Sequence, residues 1–413
     1  MNEPILLDDR VVTGILFLTI AVVFYTSTRK HPFWTKFYTV FPALLMCYLI
    51  PALLNSFNII SSDISKTYQF AKDFALPTAL ILLTLSIDIK GILNLGSKSI
   101  IMFLTGTLGV ILGGPLAILL FQWISPEVVS GFGDEATWRG LSTIAGSWIG
   151  GGANQAAMLE IYHFDQTKYG AMVLVDIVVA NIWMAVLLYG IGKSEKIDKW
   201  LKADTTAIDE LKAKVSKIQN ESSKIPSTND LFYILGLGFG GTALAHYLSS
   251  HIVEAMNSSD FFKTSVINSH FFWVVVLSTT IGLIFSFTKA KQLEGAGASK
   301  IGTVCIFFLV TTIGMKMNVF EIFKYPGLFF VGLVWMAFHV GLMFLVAKII
   351  RAPYFFIAVG SKANIGGAAS APIVASAFHS SLATVGVLLA VLGYALGTYG
   401  AIFCAELMAW IAN

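Results

Sequence analysis

Hydrophobic positions in this chain neither alternate with polar ones nor keep to one helical face. They form unbroken blocks of roughly 17 to 25 residues between short polar loops. Blocks lie near residues 11–27, 37–54, 75–89, 99–123, 139–160 and 169–192, and again near 231–252, 269–288, 301–320, 326–349, 354–377 and 381–411. A helix rising about 1.5 Å per residue needs that length to cross a bilayer, so each block predicts a membrane-embedded helix. Strands of alternating polarity are absent, which excludes an outer-membrane barrel.

The fifth block of each half is interrupted by the same phrase. Ile149-Gly150-Gly151-Gly152-Ala153-Asn154-Gln155 stands in the first, and Ile365-Gly366-Gly367-Ala368-Ala369-Ser370-Ala371-Pro372 in the second. Glycine runs are poor helix formers, and non-helical backbone at membrane depth must be buried in protein or line a wet cavity. Paired interruptions at matching places in two halves point to a binding site. A shift of 216 aligns Ile149 to Trp183 with Ile365 to Tyr399, and a shift of 228 aligns Leu83–Ile89 with Thr311–Met317. The expected fold is therefore all-α and polytopic: two inverted five-helix repeats, each with a re-entrant or broken glycine-rich hairpin. Residues 1–192 form the first repeat, with scaffold helices at 11–54 and a core at 75–192. Residues 193–230 link it to the second repeat, 231–413, with its scaffold at 231–288 and core at 301–413.

Loop charge favours the inverted arrangement. With re-entrant hairpins, Arg29, Lys30, Lys36, Lys90, Lys98, the eight lysines from Lys193 to Lys224, Lys289, Lys291, Lys300, Lys348 and Arg351 share one side. Twelve full crossings would split them nearly evenly, so the positive-inside rule selects ten crossings and two hairpins. Within 193–230, Ile208, Leu211, Val215 and Ile218 recur at helical spacing among charged residues, predicting a cytoplasmic amphipathic helix.

Composition agrees with the block pattern. Of 413 residues 56% are hydrophobic and 12% charged, and the mean hydropathy is +0.76. That balance indicates an integral membrane protein in contact with the lipid bilayer. The net charge of +3 reports orientation and gives no basis for nucleic-acid binding. The first block follows an acidic rather than basic leader, so it reads as a retained helix. Cys47, Cys305 and Cys404 lie in apolar blocks without metal or redox spacing and read as free core thiols.

Chemistry concentrates at the two interruptions. A half-helix starting near Asn154, expected as its N-cap, offers free N–H groups to an anion, with Ser147 and Gln155 beside it. Gly150, Gly151 and Gly152 let backbone approach a substrate. In the second hairpin Ser361, Lys362, Asn364, Gly366, Gly367 and Ser370 form the matching set, with Pro372 expected at the helix start. Lys362 in an apolar block is a candidate counter-ion, against the alternative that it snorkels to the interface. Asp176 and Asn181 lie in the next apolar helix and, with Thr398, form the candidate coupling site for Na⁺ or H⁺. A packing hydrogen bond is the alternative for Asp176 and Asn181, whereas Asp88 and Lys316, near block ends, read as interface anchors. Gly131-Phe132-Gly133-Asp134 matches an intramembrane aspartyl protease motif but sits in a polar loop. Gly236-Leu237-Gly238-Phe239-Gly240-Gly241 matches a dinucleotide motif but has no preceding strand, so close helix packing explains it better. No enzyme and no cofactor is expected, beyond Na⁺ as a coupling ion.

Gly146-Ser147-Trp148-Ile149-Gly150-Gly151-Gly152-Ala153-Asn154, Ser361-Lys362-Ala363-Asn364-Ile365-Gly366-Gly367 and Leu392-Gly393-Tyr394-Ala395-Leu396-Gly397-Thr398-Tyr399 resemble the YjcL-like family of uncharacterised bacterial membrane proteins. That family is similar to the glutamate:sodium, citrate and bile-acid symporters and the cation/proton antiporters. The resemblance departs at Lys362, where the family pattern has a second asparagine, and at Ala368, where it has proline. It implies a homodimeric secondary transporter of the bacterial inner membrane, with a sliding core and alternating access. The expected substrate is a small organic anion or zwitterion, such as a carboxylate, amino acid or short peptide. A passive channel or export pore, or a membrane sensor scaffold built on 193–230, are the alternatives.

Overall fold

The structure is a computed structural model that describes residues 4–6, 8–61, 65–211, 225–257, 266–320, 324–379 and 382–412. Apart from one isolated bridge, Leu6 to Ile60, the regular structure of the described residues is helical. The first half comprises α1 (Asp9–Ser27), α2 (Pro32–Val40), α3 (Ala43–Ser56), α4 (Leu76–Leu85), α5 (Ser97–Ile124), the pair α6 (Thr137–Gly150) and α7 (Gly152–Ile161), and α8 (Tyr169–Ile191). After the linker helix α9 (Ser194–Leu201), the second half comprises α10 (Thr228–Met256), α11 (His270–Ser286), α12 (Ala298–Gly314), α13 (Gly327–Ile349), the pair α14 (Tyr354–Asn364) and α15 (Gly367–Phe378), and α16 (Ala383–Ala412).

Among the described residues six helices, α1, α5, α8, α10, α13 and α16, are long and apolar enough to cross a membrane. The bent pair α2 and α3 makes a seventh candidate, kinked by 84°. Pro42 follows the kink, where a residue before proline is pushed out of helical geometry. α11 and α12 have 17 residues each, so each reaches only about 26 Å. α4 is lengthened at its start by Thr67–Phe70 and a π-helical turn at Ala71–Ala75.

The helices pack as two groups. α4 lies against α10, α11 and α12, and α12 against α1 and α3. The other group holds α5 against α13, α14 and α16, and α16 against α6 and α15. The sequence boundary expected after the second block of each half thus falls after the third in the packing, because α4 and α12 bury their apolar surface on the first group. The suspected dinucleotide glycines serve this packing. A Cβ on Gly238 would lie 2.8 Å from Thr78, and one on Gly241 2.8 Å from Ile81.

The loops gather at two ends. Lys98 pairs with Asp204 at 2.8 Å, Lys291 with Asp88 at 3.7 Å, and Lys348 donates to the Trp200 carbonyl at 3.0 Å. At the other end Arg139 pairs with Asp134 at 3.1 Å, Lys168 with Glu135 at 2.6 Å and Lys72 with Glu160 at 2.7 Å. In the linker α9 ends at Lys202 in a left-handed conformation, residues 206–211 are helical and Leu211 is buried. Val215 and Ile218, which complete the expected amphipathic stripe, lie outside the described residues.

Candidate functional site

Each glycine phrase folds as a helical hairpin. Arg139 at the start of α6 donates to the Tyr162 carbonyl just past α7 at 2.6 Å, so the ends of this pair lie side by side. Phe355 and Phe378, near the ends of α14 and α15, stack edge to face at 5.2 Å. The open end of the first hairpin lies with Asp134 and Tyr162, and that of the second with Asp198, whose carboxylate accepts from the Tyr354 N–H at 2.7 Å. The two hairpins therefore enter from opposite ends.

The breaks require glycine for different reasons. Gly151 caps α7 with φ 77° and ψ −171°, a region essentially closed to side chains. Gly366 caps α15 with φ 108°, and Gly367 follows with φ 55°. Gly150 is required by contact, since its Cβ would lie 2.6 Å from the Gly397 Cα of α16. Gly152 has an ordinary Cβ environment. Both breaks flank Gly393 of α16, whose Cβ would lie 2.7 Å from the Ile149 carbonyl and 3.7 Å from that of Ala363.

Asp176 sits in α8, 5% exposed, against the first hairpin. One carboxylate oxygen accepts from Ser147 Oγ at 2.7 Å and Gln155 Nε2 at 3.0 Å, and the other from Trp148 Nε1 at 2.7 Å. Lys362, 2% exposed, donates to the Ala180 carbonyl one turn on at 3.3 Å and interacts electrostatically with Asp176. It is buried rather than snorkelled to an interface. The Ser370 Oγ and Gln155 Oε1 atoms are buried without hydrogen-bond partners.

The two asparagines act as cross-braces. Asn154 donates to the carbonyls of Gly150 (3.1 Å) and Tyr394 (3.2 Å) and accepts from Thr398 (2.6 Å). Asn364 donates to Gly360 (3.0 Å) and Phe103 (2.9 Å) and accepts from Thr107 (2.8 Å). Each ties its hairpin to a long helix, α16 or α5. Four expectations are corrected. Asn154 is not an N-cap, because the positive-φ Gly151 takes that place three residues earlier. Pro372 stands inside α15 rather than at its start. Asn181 is exposed and lies about 140° round α8 from Asp176, so it does not join that carboxylate. Thr398 bonds to Asn154 and Thr279, away from the Asp176 donors.

Sequence reasoning passed over several partners. Ser361 Oγ accepts from Trp183 Nε1 at 2.8 Å and meets His339 Nε2 at 2.7 Å, while His339 Nδ1 meets the Gly106 carbonyl at 3.0 Å. Histidine inside the apolar run Trp335–Leu342 was a readable signal. Glu160, 3% exposed at the end of α7, was another. Its carboxylate meets Lys72, Tyr68 and Gln166, and Lys316, expected as an interface anchor, lies 3.8 Å over the Tyr68 ring. Among the described residues no group of three or more His, Cys, Asp or Glu side chains is arranged to hold a metal.

Comparison with known proteins gives the chain a family. It is 23% identical over 346 residues to the uncharacterized membrane protein YjcL of Bacillus subtilis (strain 168), covering 81% of this chain and 82% of that one. The model of a family described as "Protein of unknown function (DUF819)" matches residues 14–411. Its apolar helices and that relative make it a multi-pass membrane protein, and the chain belongs to the DUF819 family.

Proposed function

We propose that the protein is a secondary transporter for a small organic anion or zwitterion, coupled to H⁺ and working by alternating access between the two helix groups. The observation that carries this reading is the pair of oppositely entering hairpins whose breaks flank Gly393, with Asp176 and Lys362 buried beside them. Inverted repeats are supported by exchanged packing. α1 on α3 answers to α10 on α11, α1 on α12 to α10 on α4, α3 on α12 to α11 on α4, and α5 on α16 to α13 on α8. The first group, α1, α3, α4, α10, α11 and α12, would be the scaffold and dimer-forming body, and the second the moving one, with the lysine-rich end in the cytoplasm.

Protons suit the site better than Na⁺. Both oxygens of Asp176 are met by hydrogens from Ser147, Trp148 and Gln155, which occupy lone pairs an Na⁺ ion would need, whereas a proton taken up there requires only that the Ser147 hydroxyl turn to accept it. Lys362 and Ser370 at the start of α15, whose first N–H groups have no side-chain cap, suit an anionic group. Burial of Asp176, Lys362, Asn154 and Asn364 is a poor lining for a passive pore. The test is a thermal-shift screen of the purified protein against carboxylates, amino acids and short peptides across pH, with and without Na⁺, followed by uptake of the best ligand into proteoliposomes. Uptake that follows an imposed pH gradient supports the reading. Non-saturating flux indifferent to any gradient contradicts it.

A further inference from the structure

Glu160 ends the returning helix of the first hairpin and is, with Asp176, one of two buried carboxylates on α7 and α8. Its partners come from the opposite helix group. Lys72 reaches its Oε2 at 2.7 Å from the π-turn that lengthens α4, and the Tyr68 hydroxyl from the same segment donates to Oε1. Lys316, just past α12, stacks on Tyr68 and adds a second cation acting on the carboxylate. Gln166 is the donor from Glu160's own group, at 3.1 Å. A π-turn inside a helix is a local irregularity typical of functional positions, and this one carries the lysine that meets Glu160.

The repeat offsets make the cluster one-sided. The shift of 216 carries Glu160 to Ser376, and the shift of 228 carries Lys72 to Lys300. Ser376 and Lys300 are both exposed, and α15 has no packing on the first group comparable to that of α7 on α4, α11 and α12. Where one end holds an ion pair on a buried carboxylate, the other offers a hydroxyl and an unmatched ammonium.

We propose that Glu160 and Lys72 form a latch that holds the first hairpin against the first helix group and sets which side of the protein stands open. When the groups shift to cover the second hairpin, Ser376 approaches Lys300 and gains no charge pairing, so the state described here is favoured. A buried carboxylate withdrawn from its cations must be rehydrated or neutralised, which makes parting this pair a costly step of the shift. The proposal rests on the two-group reading above, and its test separates the two.

In a variant lacking Cys47, Cys305 and Cys404, two cysteine pairs report the two arrangements. Thr167→Cys with Asn318→Cys samples the latch end, where the Asn318 N–H meets the Thr167 carbonyl at 3.3 Å. Lys300→Cys with Ser376→Cys samples the other. Cross-linking in native membranes is expected to favour the first pair. Glu160→Gln lowers its yield severalfold and raises that of the second severalfold, and the charge exchange Glu160→Lys with Lys72→Glu restores the parent ratio. A purely structural role would lower the first yield in Glu160→Gln without raising the second. That outcome, or a second-pair yield present in the parent and unmoved by Glu160→Gln, overturns the latch. If the second pair forms in no variant, the two-group movement falls and takes the latch with it.

Discussion

The two hairpins share a phrase but not an environment. On the first, Ala153 is 3% exposed and Ala157 fully buried, because α7 is sealed against α4, α11, α12 and α16. On the second, the residues at the same repeat positions, Ala369 and Ile373, are open, Ile373 at 54%. Near-identical backbone breaks thus meet closed packing on one side and exposed helix on the other. The lesson is that sequence repetition sets where each hairpin breaks, while packing against the first helix group sets how far each is covered. That asymmetry is what a protein caught in one of two exchangeable states would display.

Breaking the chemistry common to both hairpins has the largest expected effect. Asp176→Asn keeps an oxygen for the Trp148 or Ser147 donor but carries no titrating charge, so proton-driven accumulation is expected to fall to background while melting temperature changes by only a few degrees. Lys362→Gln is expected to remove ligand-induced stabilisation instead. Uptake and thermal-shift assays on the pair separate coupling from binding, and wild-type gradient dependence in Asp176→Asn would make that carboxylate a packing residue.

Backbone strain is next, and it sharpens the comparison. Gly151→Val forces a β-branched residue into φ 77°, ψ −171°, at a cost of up to about 3 kcal/mol. Gly152→Ala, whose Cβ would meet only Ile306 at 3.8 Å, is expected to be nearly neutral. Equal stability of the two variants in detergent would show that the first break is not held as described.

The cross-braces come third. Asn154→Leu and Asn364→Leu each remove the two hydrogen bonds that tie a hairpin to α16 or α5, an expected loss of about 2 kcal/mol apiece that adds in the double variant. A loss confined to one hairpin would mean that the braces are not equivalent.

The smallest effect concerns the linker. Lys98 holds the Asp204 carboxyl down to about 2, with Thr206 assisting. The pair therefore contributes above the ordinary carboxylate range near 4 and is lost as pH falls through about 2. Lys98→Ala is expected to speed proteolysis of the linker modestly at neutral pH; unchanged cleavage would show that the docking does not depend on this pair.

Much of the architecture was legible because bilayer thickness writes itself into apolar run length. The order of the helices follows the blocks, and both glycine phrases fall at breaks. Helix ends were less legible. α4 starts before its apolar block, since Thr67–Ala75 is helical despite Lys72 and Asp73, and the proline-linked kink before α3 divides one block in two. At the site, Ser147, Gln155 and Asp176 come together, whereas Asn181 turns outward, a difference of helical phase that reading a run as uniformly buried could not resolve. Glu160 met the same criterion as Asp176, a carboxylate in an apolar run, but its partners Lys72 and Tyr68 are remote in sequence. Packing between helix groups is what makes such a pair, and periodicity carries no information about it.

The central claim is that the hairpins exchange environments. Single cysteines at Ala153 and Ala369 test it most directly, labelled with a membrane-impermeant thiol reagent in inside-out and right-side-out vesicles. The account predicts that Ala369→Cys reacts from the cytoplasmic side alone and Ala153→Cys from neither. After cross-linking Lys300→Cys to Ser376→Cys, Ala369→Cys should become protected and Ala153→Cys reactive from outside. Reactivity of Ala369→Cys that is unchanged by the cross-link, or that comes from the external side, would contradict it.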